Sequence, residues 1–339
     1  MNCRKKFGIL SMNTDSKAEK ILVRGPDTVG SFVLASPFYR ELRRNFPSAY
    51  IALAIKPLVY ELAKDCPYVN EIFVYDDKTR GKYFSWLREK NFSVSFLLSG
   101  SFSSALWVYL AGIKKRIGYS HDHRSWLLTD IIPDDSGKLQ IDYYLYMLEY
   151  RGLKVVERQP EIYLKPTSTA FDNFFSGKMT VGISFTAAGE LARSWPRDHA
   201  VVLVEKLLQD NFQVVFFGME KDRSYGDYIR GKIKNDDFIN LAGRTSLTDF
   251  ISLVQRCAGY ISVASGGLHL AAVLGLKCVG LYCPGDDAVW RPYEKNVVVI
   301  THRVDCAPCN QHKMKYCRNN KCMRIITPEE VYEKFKEMV

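Results

Sequence analysis

The sequence has no long apolar run. The nearest candidate, residues 104–113, is about half as long as the roughly 20 apolar residues that a membrane-spanning helix requires, and it predicts a buried helix instead. The N-terminal segment is basic, but its apolar run is too short for a signal peptide. We therefore expect a cytoplasmic protein.

The sequence also lacks an arginine-rich tract, a zinc finger and an RNA-binding motif, so we expect no nucleic-acid partner. Lysine and arginine nevertheless outnumber aspartate and glutamate by 47 to 37, which gives a formal net charge of +10. This excess favours an anionic partner such as a nucleotide, a phosphorylated sugar or a phospholipid surface. A merely solvated basic surface would have the same composition.

What the sequence does have is a regular alternation of short apolar strands and helices. Such an order predicts parallel sheets that are covered by helices on both faces. A segment with two prolines and a Ser/Thr run, around residues 156–178, interrupts the alternation. We therefore predict an α/β protein with two doubly wound, Rossmann-like domains, 1–165 and 166–339. They would face a central cleft and bind ligands at the carboxyl ends of their strands.

The segment ILVRGPDTVGSFVLASP, residues 21–37, is the first candidate site. It predicts a strand, a turn that contains Asp27, and a helix that opens at Gly30. A junction of this kind gathers backbone N–H groups and a helix dipole at one point. Asp27 either performs chemistry there or only caps the helix.

A second junction of this kind is SVASGGLHLAAVLG, residues 262–275. Ser265, Gly266 and Gly267 precede an apolar helix whose first N–H groups are not obstructed by a bulky side chain, which suits a diphosphate. The alternative is a tight turn that Ser265 caps. His269 is either a ligand contact or a packed core histidine.

Two further loops follow predicted strands in the second half. In TAAGELARSWP, Ala188 and Gly189 are small enough for close approach of a ligand to the backbone, and Arg193 could neutralise a leaving diphosphate. The alternative is a surface arginine beside a core tryptophan. In FFGMEKDRSYG, Glu220 could accept a hydrogen bond from a ribose diol, but a helix cap formed by Asp222 explains this loop equally well.

Four of the nine cysteines lie in CAPCNQHKMKYCRNNKC, with the spacing C-x2-C-x7-C-x4-C. Cysteine thiolates can hold tetrahedral zinc or iron, and a reducing compartment favours a metal over disulfides. The spacing is not that of a standard zinc finger. The candidate ligands of this structural, non-catalytic metal site are Cys306, Cys309, Cys317 and Cys322.

Taken together, these segments resemble glycosyltransferase family 9, and within it the ADP-heptose:lipopolysaccharide heptosyltransferase II type. The resemblance runs over nearly the whole chain, from ILVRGPDTVGSFVLASP through ARSWP and SGGLHLAAVLG to CMRIITPEEV. It implies a GT-B architecture and an inverting transfer of heptose from ADP-heptose to the lipopolysaccharide inner core, with no cofactor required for the chemistry. It also implies peripheral contact with the anionic inner face of the inner membrane.

The resemblance assigns roles as well. It implies that the second half binds the nucleotide sugar and the first half binds the acceptor. Arg193 matches the position that contacts the diphosphate, residues 265–267 match the phosphate-binding helix start, and Glu220 lies near the ribose-contacting carboxylate. Arg116 and Arg124 lie in a matching block that would face sugar or phosphate.

Two positions depart from the family pattern. The family has an aspartate, its expected general base, directly after the glycine of the first turn, where this chain has Ser31. It has another aspartate where this chain has Ala264. A serine hydroxyl of ordinary acidity cannot deprotonate a sugar hydroxyl by itself.

Three hypotheses follow from the missing base. Asp27 has taken over the role, or the base lies elsewhere, with Asp122 as one candidate, or the protein binds sugar nucleotide or lipopolysaccharide without turnover. A transferase with another donor sugar is a further alternative, because Ala264 would change how the donor is held.

Overall fold

The structure, a computed structural model, describes residues 19–134, 137–164, 171, 174–187, 191–283, 287–307, 309, 314 and 316–339. The chain divides into two compact units, Met1–Tyr163 (unit 1) and Leu164–Val339 (unit 2). Within the described ranges, no helix is long and apolar enough to cross a membrane.

Unit 1 is built on a parallel six-stranded sheet. Its strands are β1 (Lys20–Arg24), β2 (Tyr50–Ile55), β3 (Glu71–Val74), β4 (Val94–Leu97), β5 (Lys115–Tyr119) and β6 (Asp130–Ile132). Its helices are α1 (Val29–Leu34), α2 (Ser36–Asn45), α3 (Tyr60–Ala63), α4 (Arg80–Lys90), α5 (Phe102–Leu110) and α6 (Gln140–Tyr150), with short 3-10 turns at Pro57–Val59 and Ser125–Leu127. The strand order is β3-β2-β1-β4-β5-β6.

The strand order of unit 1 reverses between β1 and β4, which pair in parallel. Both strands are mainly apolar in their centres and almost wholly buried, as expected for strands that are covered on both faces. Ligands of such sheets bind outside the carboxyl ends of the strands at this reversal, the topological switch point. The turn that contains Asp27 follows β1, so it lies at the switch point.

Gly25 begins this turn, and close packing against β2 explains why it is a glycine. Its N–H donates to the carbonyl of Ala54 at 3.0 Å. A Cβ at this position would lie 2.9 Å from Ile55 Cγ2, closer than real Cβ contacts, and 3.1 Å from Leu53 Cδ1, which is tighter than most. The turn is therefore pressed against the sheet before the chain enters α1.

Unit 2 repeats the design. Its strands are β7 (Thr180–Ser184), β8 (Gln213–Phe216), β9 (Phe238–Asn240), β10 (Gly259–Val263), β11 (Lys277–Tyr282) and β12 (Val297–Thr301). Its helices include α7 (Arg197–Gln209), α8 (Arg223–Ile233), α9 (Leu247–Val254), α10 (Gly266–Val273), α11 (Asp287–Trp290), α12 (Lys321–Arg324) and α13 (Pro328–Lys336), with 3-10 turns at Leu191–Arg193 and Glu220–Asp222. The strand order is β12-β11-β10-β7-β8-β9.

The switch point of unit 2 lies between β7 and β10, which pair in parallel. Two of the predicted motifs, the loop that begins at Thr186 and the run Ser265–Gly267, follow these two strands directly. The predicted α/β fold with two doubly wound parallel sheets is confirmed.

Candidate active site

Asp27 lies in the first junction, three residues beyond the end of β1. Arg24 donates from Nη2 to Asp27 Oδ1 at 2.6 Å. Helix α1 begins at Val29 with Thr28 as its N-cap residue, whose side chain accepts no capping hydrogen bond from a backbone N–H of the helix. The Asp27 carboxylate is thus turned back toward the strand and is not used as the cap that the sequence left open as an alternative.

Arg24 is a fully buried cation beneath this carboxylate. Its guanidinium carbon lies 5.1 Å from the centroid of the Tyr75 ring. Burial acts to lower the pKa of Arg24, but Tyr75 and Asp27 raise it overall. The Asp27 side chain is 42% exposed, so its carboxylate is held by the buried Arg24 and is also accessible to solvent.

Ser31 and Gly30 are on the helix side of the same junction. Gly30 is buried in α1, and Ser31 is half-buried. The Thr28 hydroxyl donates to Ser31 Oγ at 2.9 Å, and the Ser31 side chain also faces Tyr144 of α6. The Ser31 hydroxyl is therefore engaged locally, and the carboxylate of this junction belongs to Asp27.

Asp122, the alternative base, follows β5. It and His123 both have left-handed backbone, with φ of 56° and 55°. Asp122 Oδ2 accepts a hydrogen bond from the backbone N–H of Phe102 at 2.6 Å. This carboxylate therefore closes the amino end of α5.

Arg124 ties two loops together. It is buried, and it donates to the carbonyls of Tyr119 at 2.8 Å and Ser99 at 2.6 Å and to Ser104 Oγ at 2.8 Å. Burial lowers the pKa of Arg124 to about 10. The guanidinium thus holds the loops after β4 and β5 in place at the edge that carries Asp27.

Arg116 lies at the opposite end of β5 from Arg124. It donates to the carbonyls of Leu127 at 2.6 Å and Ile113 at 2.5 Å. Its guanidinium carbon also lies 5.3 Å from the centroid of the Tyr109 ring. The structure therefore does not bring the two predicted substrate-binding arginines to one place.

The second junction begins helix α10 at the switch point of unit 2. Ser265 is the N-cap residue, and its hydroxyl oxygen accepts from the N–H of Leu268 at 3.3 Å. Ser265 therefore caps the helix, as one of the two predicted alternatives has it. This bond uses one of the first amides, and those of Gly266 and Gly267 have no partner within the helix. A Cβ on Gly267 would lie 2.9 Å from the Tyr260 hydroxyl, which explains the second glycine.

His269 lies within α10 and is buried. Its Nδ1 has no hydrogen-bond partner among the described residues. Burial lowers its pKa to about 4, so the imidazole is neutral near pH 7. These observations favour the packed histidine over a charged ligand contact.

Arg193 ends the 3-10 turn that leads away from β7, and its Nε donates to Met314 Sδ at 3.4 Å. Trp195 fixes the turn, because it is buried and donates from Nε1 to the carbonyl of Ile326 at 3.1 Å. The thiol of Cys283, directly after β11, donates to the carbonyl of Ala192 at 3.3 Å. Arg193 thus lies at the carboxyl edge of the unit 2 sheet. Ala188 and Gly189 lie outside the described residues.

Glu220 and Asp222 lie in the loop after β8 and have different environments. Asp222 is buried and occupies the N-cap position of α8, but its side chain makes no capping hydrogen bond to that helix. Its Oδ2 instead accepts from the N–H of Met219 at 2.8 Å, at the start of the 3-10 turn. Glu220 is exposed and pairs with Arg223 at 2.7 Å. Glu220 is therefore the accessible carboxylate at the carboxyl end of β8.

The four cysteines do not gather. Cys306 is exposed, and Cys309 and Cys317 are half-buried. Cys322 is buried, and its sulfur lies 3.6 Å from the sulfur of Cys283, within hydrogen-bond distance. The hydrogen bond with Cys283 lowers the pKa of Cys322 to about 7. Among the described residues, no three Cys, His, Asp or Glu side chains are arranged to hold a metal ion. The predicted metal site has no support in this geometry, and the Cys283–Cys322 pair was not predicted.

The sequence of this chain matches a known protein family. A family model described as "Glycosyltransferase family 9 (heptosyltransferase)" matches residues 80–320. The protein named "Lipopolysaccharide heptosyltransferase 2" of Escherichia coli K12 is 29% identical over 304 residues, which cover 83% of this chain and 87% of that protein.

Solved structures of similar proteins also match this chain. The structure of E. coli ADP-heptose lps heptosyltransferase II matches with a TM-score of 0.76 at 28% identity, and the match covers 94% of this chain and 98% of that one. A glycosyl transferase family 9 protein from Veillonella parvula matches with a TM-score of 0.77 at 18% identity, covering 94% and 97%, and shares the fold.

Proposed function

The chain belongs to glycosyltransferase family 9, and we propose that it is an inverting heptosyltransferase that moves heptose from ADP-heptose to the inner core of lipopolysaccharide. One observation carries the proposal. At the switch point of unit 2, the neighbouring strands β10 and β7 deliver the amino end of α10 and the Arg193 turn to the same edge of the sheet. Amide donors, a helix dipole and a guanidinium suit a diphosphate.

Unit 2 would bind the donor. The amides of Gly266 and Gly267 would donate to phosphate oxygens of ADP-heptose, and Arg193 would balance the charge that develops on ADP as it leaves. Glu220 would accept from the ribose hydroxyls. His269, buried and neutral, would pack behind this contact surface.

Unit 1 would bind the acceptor and supply the base. The acceptor hydroxyl oxygen attacks the anomeric carbon of heptose from the side opposite ADP, and the bond between that carbon and the diphosphate oxygen breaks. Asp27 takes the proton from the hydroxyl, and ADP leaves with the bonding pair. Arg24 holds the carboxylate at 2.6 Å so that it does not rotate away.

Donor, acceptor and base account for every bond and proton in this step, so the chemistry requires no cofactor. A metal at the cysteine cluster would be structural. The missing family aspartates raised the alternatives of a binding protein without turnover and of another donor sugar. Asp27 supplies a carboxylate at the first junction, which favours turnover over binding alone, and the donor is left to the comparison of sugar nucleotides.

The acceptor also suggests where the enzyme works. The lipopolysaccharide inner core is attached to a lipid, and a chain with a net charge of +10 is attracted to anionic headgroups. We therefore propose that the enzyme works at the cytoplasmic face of the inner membrane as a peripheral protein.

Release of ADP by the purified full chain tests the proposed function. ADP-heptose together with a heptose-bearing inner-core acceptor should release ADP, and either one alone should not. ADP-glucose and UDP-glucose serve as matched donor controls. Release that is equally fast with ADP-glucose would assign another donor, and ADP binding with no release from any donor would contradict catalysis.

A further inference from the structure

Unit 1 has a strip of apolar side chains that are exposed or half-exposed. Helix α5 contains no charged residue, yet Tyr109 and Leu110 at its end are 44% and 51% exposed. Trp126, in the 3-10 turn after β5, is 63% exposed, and its ring centroid lies 6.2 Å from that of Phe102 and 6.0 Å from that of Tyr109. We call Phe102, Tyr109, Leu110 and Trp126 the α5 strip; Phe102 is half-buried and packs against the core, and the other three are exposed. Exposed apolar side chains that adjoin one another in this way mark an interaction surface.

Positive charge borders the α5 strip. Residues 102–129 contain four lysines and arginines and one acidic residue, and α4 contains four and one. Lys114 is exposed shortly after α5 ends, and Arg116 lies 5.3 Å from the Tyr109 ring centroid. On α4, Arg88 lies 5.9 Å from the ring centroid of Phe84, which in turn lies 5.9 Å from that of Trp107. The strip is therefore apolar at its centre and cationic at its border.

We propose that the α5 strip is the surface by which this protein docks on an anionic phospholipid bilayer. Tryptophan and tyrosine favour the boundary between headgroups and acyl chains, leucine enters the apolar side, and lysine and arginine pair with anionic lipids. This composition matches a bilayer better than a neutral protein partner, because the border charges are almost all of one sign.

The position of the strip fits the reaction, and this step rests on the proposed function. The strip begins at Phe102, just after the loop that follows β4, and β4 is the neighbour of β1 in the sheet. The Phe102 end of the strip therefore lies on the side of unit 1 that carries Asp27, and the Tyr109 end lies beside Arg116, toward the amino end of β5. A bilayer against the Phe102 end would present lipid-linked headgroups to the Asp27 edge.

Vesicle binding of the purified full chain tests the docking surface. Wild type should co-sediment with phosphatidylethanolamine vesicles that contain phosphatidylglycerol, and much less with phosphatidylcholine vesicles. Trp126→Ser and Leu110→Ser should each weaken this binding about tenfold, the size expected for losing a partly buried apolar side chain. Lys114→Ala should weaken it about fivefold, as expected for one basic residue near the surface. Val156→Ser, an exposed apolar position elsewhere in unit 1, should leave it unchanged.

Activity separates this proposal from the proposed function. Trp126→Ser should match wild type on a water-soluble, delipidated acceptor and lose turnover on the same acceptor embedded in anionic vesicles. Vesicle binding by Trp126→Ser at wild-type affinity would overturn the docking surface. The docking surface would also be overturned if wild type were a dimer, Trp126→Ser a monomer, and both bound vesicles equally well. The strip would then join two copies of the chain. If wild type binds vesicles through the strip but transfers no heptose, the docking surface stands and the proposed function fails.

Discussion

The two units use one backbone design but place different charges at their junctions. Counted from the first strand of each unit, both sheets have the order 3-2-1-4-5-6, and both place a strand–turn–helix junction at the point where the order reverses. In unit 1 the junction follows the first strand and contains the Arg24–Asp27 ion pair. In unit 2 it follows the fourth strand, and Ser265, Gly266 and Gly267 carry no charge.

This difference separates two chemical tasks. Unit 2 leaves backbone amides and a helix dipole at its junction, and these attract an anion. Unit 1 places a carboxylate there, which repels a diphosphate but accepts a proton. A shared fold therefore does not give a shared function, because the side chains in two short turns decide which ligand each edge suits.

The largest loss on the unit 2 side is expected from Arg193→Gln. Removal of the guanidinium leaves the departing diphosphate without its cation, and kcat should fall about 10²–10³-fold. Steady-state ADP release measures this loss. Arg197→Gln, which removes an exposed arginine at the start of α7, is the matched control and should stay near wild type. Equal activity of Arg193→Gln and wild type would remove Arg193 from the site.

His269 makes the stability of unit 2 depend on pH. Its pKa is about 4 in the folded chain and about 6.5 when unfolded, so the unfolded chain binds more protons between these values. The free energy of unfolding should therefore fall by up to about 3 kcal/mol as the pH drops from 6.5 to 4. Denaturant titration of wild type and His269→Asn at pH 7 and pH 4.5 measures the effect, which the variant should lack. His123→Asn, an exposed histidine in unit 1, is the control, and an acid loss unchanged in His269→Asn would refute the assignment.

A smaller effect is expected from making the unit 2 junction resemble that of unit 1. Ser265→Asp keeps a good helix cap but places a negative charge where the diphosphate would bind. The Kd for ADP should rise about tenfold, a difference of about 1.4 kcal/mol in binding free energy that calorimetry resolves. Thr327→Asp makes the same change at the cap of α13, away from the switch point. An unchanged Kd in Ser265→Asp would place the nucleotide elsewhere.

The fold was predictable because apolar strands and glycine turns are local features. The runs around β1 and β10 and the glycine that follows each were sufficient to predict both junctions. The pairing of Asp27 with Arg24 was not, because Arg24 reads as the last residue of a buried strand and only the tertiary packing shows its guanidinium turning back under the carboxylate.

Other features depended on which residues become neighbours in space. Arg116 and Arg124 are close in sequence, but Arg116 lies near the start of β5 and Arg124 lies beyond its end. Cys322 pairs with Cys283 across 39 positions, a contact that cysteine spacing does not encode. Burial favours the packed interpretation of His269 and separates Asp222 from the exposed Glu220, and burial is a property of the packed core.

In the proposed mechanism the general base of the first junction is the carboxylate at position 27, and not one at position 31 as in the family pattern. The most direct measurement compares kcat for ADP release in wild type, Asp27→Asn, Asp122→Asn and the double variant Asp27→Asn/Ser31→Asp. Asp65→Asn, an exposed aspartate of unit 1, is the control for removal of a charge.

We expect Asp27→Asn to lose about 10²–10⁴-fold in kcat with the Kd for ADP unchanged, as for the loss of a general base. Asp122→Asn and Asp65→Asn should stay near wild type, and the double variant should recover at least about tenfold over Asp27→Asn. Wild-type turnover by Asp27→Asn, or a large loss confined to Asp122→Asn, would contradict the account.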